Sequence, residues 1–337
     1  MDVNFKGIAY FESTFKEQIG KNGEIKPREF VFRSRFGEED GELPVEADRY
    51  RLIWMPGCPH AHKVIITWKL LGLDRVISLG TTGIFRTPTG WVFSEDKDQV
   101  DPVLGMHSLH ELYLKTDPDF TGRSTVPALI DVKSRTVANN DHYHIPIYFN
   151  LDWKKYHKKG APDLYPEALR GEIDELNTFV FQRIIKGFYR VGFARSQDTL
   201  DREYKDLFEA LDTLDSRLSD RRFLFGDYIT DTDIRLYPSL VRFRQAYYQV
   251  FRANRNRLDD FENLWAYTRD LYQTECFGDT TYLDLIKKHY QMSPHLRPLW
   301  GNVHGLYCKG PDDNDWNRST GREKLSGKKE KFLEKED

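Results

Sequence analysis

The fold turns on the stretch Trp54-Met55-Pro56-Gly57-Cys58-Pro59-His60-Ala61-His62-Lys63. Before it, Tyr50-Arg51-Leu52-Ile53-Trp54 is an apolar, strand-like run that ends in the turn-forming pair Pro56-Gly57. After it, Val64, Ile65, Ile66, Trp68, Leu70 and Leu71 recur at helical spacing, and Gly72 follows as a natural residue just past a helix end. Pro59 fits a first helical turn because it has no N–H to lose there. The reading places the Cys58 sulfur at a helix N-terminus, where unpaired N–H groups and the helix dipole favour thiolate over thiol. A thiolate attacks sulfur, so Cys58 is a candidate nucleophile. The competing role for any free cysteine is that of a small buried hydrophobe, and nothing around Cys276 or Cys308 argues otherwise for those two.

Working outward, Arg75-Val76-Ile77-Ser78-Leu79 reads as a second strand, and Trp91-Val92-Phe93 as a short strand or a loop. In Ser124-Thr125-Val126-Pro127-Ala128-Leu129-Ile130-Asp131 a proline heads an apolar strand. After a β-α-β pattern this suits a cis X-Pro bond beside an active site. Val132 to Val137 reads as the return strand of a hairpin. The order β-α-β, then β-β, then a helix matches the thioredoxin fold. A linker rich in Lys, Gly and Pro spans 154–166. Beyond it the periodicity is helical: Leu169, Ile173, Leu176, Phe179 and Val180 form one stripe. Tyr204, Leu207, Phe208, Leu211, Leu214 and Leu218 form another. Thr230 with Asp233 makes a capping box before Ile234, Leu236, Tyr237, Leu240 and Val241, and a further amphipathic stretch runs from Phe261 to Tyr272.

The expected fold is therefore α/β plus all-α. An extended N-terminal arm occupies 1–47 and a thioredoxin-like thiol-binding domain 48–150. An all-helical substrate domain covers 165–310, and a mobile, polar tail 311–337, in which Gly327 to Lys331 reads as a solvated, frayed end.

Three cysteines among 337 residues make no disulfide framework. A reducing compartment fits better, and the start of the chain lacks the apolar core of a signal peptide, so a cytoplasmic protein is expected. A net charge of -3 argues against a nucleic-acid binder, and no apolar run reaches membrane-spanning length. His60 and His62 invite a metal reading with Cys58. Spacings of two and four around a helix start do not aim three ligands at one centre, and no metal is expected.

These motifs, in this order, resemble the Xi-class glutathione transferases, also called glutathionyl-hydroquinone reductases. The family's CPWAHR corresponds to Cys58-Pro59-His60-Ala61-His62-Lys63, and its Gly-Trp to Gly90-Trp91. Its GR-x-TVP-x-L-x-D segment corresponds to Gly122 through Asp131. Its GVY-x-AGFA-x-SQ segment corresponds to Gly187 through Gln197. ADIRL is matched by Thr232-Asp233-Ile234-Arg235-Leu236, LVRF by Leu240 to Phe243, and a late HYY-like pair by His289-Tyr290. The correspondence runs from about 48 to about 292. It implies glutathione as co-substrate, a quinol as aromatic substrate and a homodimer. It implies Cys58 as nucleophile, with Trp91, Arg123, Val126 and Pro127 around the thiol. It also implies Tyr189 and Tyr290 lining the aromatic pocket, where a phenol can bond a quinol oxygen or assist protonation of the ring carbon that loses sulfur.

The departures are as informative. The family's NNES reads Asn139-Asn140-Asp141-His142, which shortens the acid and replaces the serine in the pair that resembles a clamp for the γ-glutamyl end of glutathione. His60 replaces the family's Trp, and Lys63 its Arg. Ala61 stands where a second cysteine would make Cys-x-x-Cys, so a mixed disulfide resolved by an external thiol is expected rather than a dithiol mechanism. Two alternatives stay open: the same chemistry with another low-molecular-weight thiol, and a non-catalytic transferase-like scaffold.

Overall fold

The computed structural model describes residues 20, 30–87, 90–302 and 304–334. The chain divides into two compact units, Glu29–Pro162 and Asp163–Glu336. The division falls inside the lysine- and proline-rich linker.

The first unit is built on a four-stranded mixed sheet. Strand β1 (Tyr50–Trp54) lies parallel to β2 (Ile77–Thr81), with Tyr50 opposite Ile77. On its other edge β1 runs antiparallel to β3 (Ala128–Asp131), which pairs with β4 (Thr136–Asn139), giving the order β2-β1-β3-β4. All five residues of β1 are buried, which explains an apolar run without alternation. Helix α1 (Pro59–Leu70) connects the parallel pair and ends where Gly72, at φ 72°, takes the left-handed conformation that glycine adopts without steric cost. Helix α2 (Leu109–Thr116) is capped by Ser108, and α3 (Ile145–Leu151) follows the sheet. The β3 strand starts at Ala128, directly after the proline expected at its head, and the Val126–Pro127 bond is cis as expected. One boundary differs from the sequence reading. The return strand starts at Thr136, because Val132–Arg135 is spent on a turn with Arg135 at φ 56°.

Of the N-terminal arm, residues 1–19 and 21–29 lie outside the described residues. The stretch from residue 30 packs on the sheet: Arg33 bridges Asn139, and Phe36 meets Tyr50 and Trp153 edge-on.

The second unit is helical. Helix α4 (Arg170–Phe179) continues through a π-turn, Val180–Ile185, into α5 (Lys186–Phe193). Then come α6 (Gln197–Arg217), α7 (Asp231–Arg242), α8 (Glu262–Tyr272) and α9 (Leu283–Met292). Thr230 and Asp233 form the expected capping box of α7, and Asp233 also accepts from the Tyr267 hydroxyl and the Leu224 N–H. That box fixes the start of a wholly buried helix.

The tail contradicts the expectation of mobility. Trp316 is fully buried against Trp265, Tyr272 and the Arg244 guanidinium. Arg322 is buried and donates to the carbonyls of Leu218, Arg221 and Arg222. Lys331 is no frayed end: its ammonium pairs with Asp270 at 2.8 Å, and its carbonyl accepts from Ile229 N–H. A polar average composition hid a few anchors that each bury well.

Candidate active site

Cys58 occupies the N-cap of α1, with extended backbone (φ -78°, ψ 120°) and Pro59 directly inside the helix. Its N–H donates to the Met55 carbonyl at 2.9 Å, closing the turn that brings the chain from β1 into α1. The thiol is partly exposed, and Sγ lies 3.7 Å from the carbonyl oxygen of Val126, beside cis Pro127. The sheet explains the meeting: β1 and β3 are neighbours, so the loop leaving β1 and the loop entering β3 open on the same end. A sulfur at a helix N-terminus facing a backbone edge can carry a peptide thiol in a mixed disulfide.

Trp91 is nearly buried, and its carbonyl accepts from Leu109 N–H. Gly90, at φ 108°, holds a backbone conformation in which a side chain is strained, and a Cβ there would lie 2.6 Å from Ser124 Oγ. This ties the Gly-Trp motif to the loop that enters cis Pro127. Arg123 is half-buried in the same loop.

Asp141 is buried, and both its carboxylate oxygens are engaged within its own loop. Oδ1 accepts from Tyr143 N–H at 2.9 Å, and Oδ2 lies 2.7 Å from His144 Nδ1. Burial alone would raise its pKa. The His144 hydrogen bond and charge, with the backbone N–H groups of Tyr143 and His144, outweigh it and hold the carboxyl below its ordinary value. The His142 ring stacks on His60 at 4.0 Å and 15°, with Phe30 edge-on at 4.9 Å. Two departures from the family pattern thus touch each other: the ring that stands for the tryptophan faces the ring that stands for the serine. Lys63, a further departure, lies 5.8 Å from the centre of the Tyr143 ring.

In the helical unit the Tyr189 and Tyr290 hydroxyls are 3.0 Å apart. Sequence reasoning missed the third member: Tyr247 Oη lies 3.1 Å from Tyr290 Oη. Burial, then the neighbouring Tyr189 and Tyr290, push the Tyr247 phenol well above its ordinary pKa, which keeps its proton on. It sits at the end of Arg244-Gln245-Ala246-Tyr247, directly after the LVRF match, and no residue pattern sets it apart there. Phe251 stacks on Tyr247 at 4.7 Å and packs edge-on to Tyr290. Gly192 of the Gly-Phe-Ala motif makes room for that ring: a Cβ would lie 2.5 Å from Phe251.

Among the described residues no group of three or more His, Cys, Asp or Glu could hold a metal ion, and no helix is long and apolar enough to cross a membrane.

Residues 197–270 match the family model for the glutathione S-transferase C-terminal domain. The glutathionyl-hydroquinone reductase YqjG of Escherichia coli (strain K12) is 36% identical over 252 residues, which are 74% of this chain and 76% of that protein. The glutathionyl-hydroquinone reductase PcpF of Sphingobium chlorophenolicum is 36% identical over 279 residues, 82% of this chain and 87% of its own. The solved structure of the Xi-class glutathione transferase from Natrialba magadii aligns with a TM-score of 0.82 at 34% identity, covering 91% of this chain and 97% of that one.

Proposed function

The chain belongs to the Xi-class glutathione transferase family of glutathionyl-hydroquinone reductases, and from that premise we propose that it removes glutathione from glutathionyl-hydroquinones through Cys58. The observation that carries the proposal is the Cys58 sulfur at the N-terminus of α1, 3.7 Å from the Val126 carbonyl.

The Cys58 thiolate attacks the sulfur of the glutathionyl-hydroquinone. The bond between that sulfur and the ring carbon breaks, its electron pair stays on the carbon, and a proton joins the carbon to give the hydroquinone. Cys58 and glutathione remain joined as a disulfide. The thiolate of a second glutathione then attacks the glutathione sulfur of this disulfide, so oxidised glutathione leaves and Cys58 returns as thiolate. One proton is consumed at the ring and one is released by the incoming thiol. Ala61 favours this external resolution, because the chain has no resolving cysteine one helical turn away.

Trp91, Arg123, Val126, Pro127, Asp141 and His142 are assigned to the thiol. Tyr189 and Tyr290 are assigned to the quinol, with their mutual hydrogen bond in support. A homodimer and a cytoplasmic setting complete the reading. A second reading keeps the chemistry and changes the thiol. The Asp141 oxygens held by His144 and Tyr143 favour it, together with the His60–His142 stack.

The test is a Cys58→Ser protein assayed with a glutathionylated hydroquinone and a series of thiols. We expect a loss of at least about a thousandfold in turnover with correct folding retained, and glutathione as the preferred thiol in the wild type. Retained activity in Cys58→Ser rejects the mechanism.

A further inference from the structure

Tyr113 was singled out by no motif, yet its hydroxyl is a junction. The Tyr113 Oη donates to the Thr125 carbonyl at 3.0 Å, and the Thr125 N–H lies 3.3 Å from the same oxygen. Asn140 Nδ2 donates to it as well, at 3.0 Å. Asn140 in turn accepts from Phe32 N–H through Oδ1, and its own N–H donates to the Phe32 carbonyl. Thr125 immediately precedes Val126 and cis Pro127. Asn140 immediately precedes Asp141. One buried phenol therefore joins the backbone edge that faces Cys58 to the loop that carries the acid.

The ring is well fixed for this task. Tyr113 is fully buried, with Phe32 edge-on at 5.3 Å and Phe120 at 5.0 Å. Its helix α2 is held at one end by the Ser108 cap and at the other by the Val137 N–H, which donates to Thr116 Oγ1. A side chain on a rigid helix, locked by packing, transmits one position to two loops. The phenol oxygen donates once and accepts twice, so the fork has no slack.

We propose that Tyr113 is a positioning residue for the thiol substrate: it sets the separation between the Val126 edge and the Asp141–His142 corner, and so the length of thiol that fits between them. The proposal rests on the functional reading above. Tyr113 touches no reacting atom, so its loss weakens thiol binding and leaves the chemistry at Cys58 intact.

Alkylation of Cys58 by iodoacetamide, read by mass spectrometry of the Cys58 peptide, separates the two effects. In Tyr113→Phe the alkylation rate without glutathione stays at the wild-type value, while the glutathione concentration that half-protects Cys58 rises about tenfold, the scale of one lost hydrogen bond. Steady-state turnover shows the same split, with KM for glutathione raised by a similar factor and kcat within about twofold. Asn140→Ala, which removes the amide's donation to Tyr113 together with its bonds to Phe32 N–H and Thr125 Oγ1, is the second variant should Tyr113→Phe fold poorly. It also weakens protection, and the double variant loses less than the two single losses combined, because the Tyr113–Asn140 bond is counted in both. A wild-type Cys58 that glutathione does not protect overturns the functional reading. A protected wild type with equally protected Tyr113→Phe and Asn140→Ala proteins overturns the positioning role alone.

Discussion

At the scale of single residues, Asp141 is the clearest case of a residue whose surroundings sequence could not supply. Its place in the family pattern marked it as a partner for an ammonium group. Its grip on His144 and Tyr143 N–H could not be read, because it depends on how the chain turns after β4. That grip makes a pH prediction. The folded carboxyl sits below its unfolded value of about 4, so its stabilisation is full above that value and drains away as pH falls through the folded pKa. Melting temperatures measured from about pH 6 to about pH 3 should fall less steeply in Asp141→Asn than in the wild type. Parallel curves would mean that the Asp141–His144 pair contributes nothing to acid lability. The place of Cys58 at the start of a helix was legible from its neighbours, since a turn, a proline and a helical stripe are all local signals. The hydrogen-bond clusters of Tyr113 and Tyr247 were not, since their atoms meet across 27 residues in one case and 43 in the other.

At the scale of elements, the periodic segments declared themselves and the irregular ones did not. Helix α6 carries the stripe that begins at Tyr204 in a single run from Gln197 to Arg217, with the stripe's last member, Leu218, at its C-cap. The capping box of α7 stands where Thr230 and Asp233 put it. The C-terminal segment defeated the same approach, because composition averages over residues and packing does not. Trp316 is the anchor: buried among Trp265, Tyr272 and Arg244, it also presents a carbonyl to Gln273 Nε2 at 2.7 Å. Trp316→Ala should therefore destabilise the helical unit by about 3 to 5 kcal/mol, the cost of emptying a large buried aromatic site. Urea unfolding followed by circular dichroism reads this directly. A change under about 0.5 kcal/mol would restore the mobile-tail reading. Lys331 adds a smaller, salt-sensitive contribution through Asp270, whose carboxyl Lys331 and Arg222 hold low against the opposing effect of burial.

At the scale of the whole molecule, the chain combines a unit built on a four-stranded mixed sheet with a helical unit rich in clustered phenols, and each is intelligible by itself. In the first, sheet topology brings two loops to one end of adjacent strands, so that Cys58 meets the Val126 carbonyl. The second draws its character from three tyrosine oxygens in hydrogen-bonding sequence. The central claim joins them in one reaction in which Cys58 carries glutathione as a disulfide while the hydroquinone departs. A single-turnover experiment tests it most directly. The protein is mixed with a stoichiometric glutathionyl-hydroquinone and no free thiol, quenched with acid, and analysed by peptide mass spectrometry alongside quantitation of released hydroquinone. The account predicts one glutathione on the Cys58 peptide for each hydroquinone released, removed by added glutathione with formation of oxidised glutathione. Hydroquinone release with Cys58 unmodified, or the adduct found on Cys276 or Cys308 instead, would contradict it.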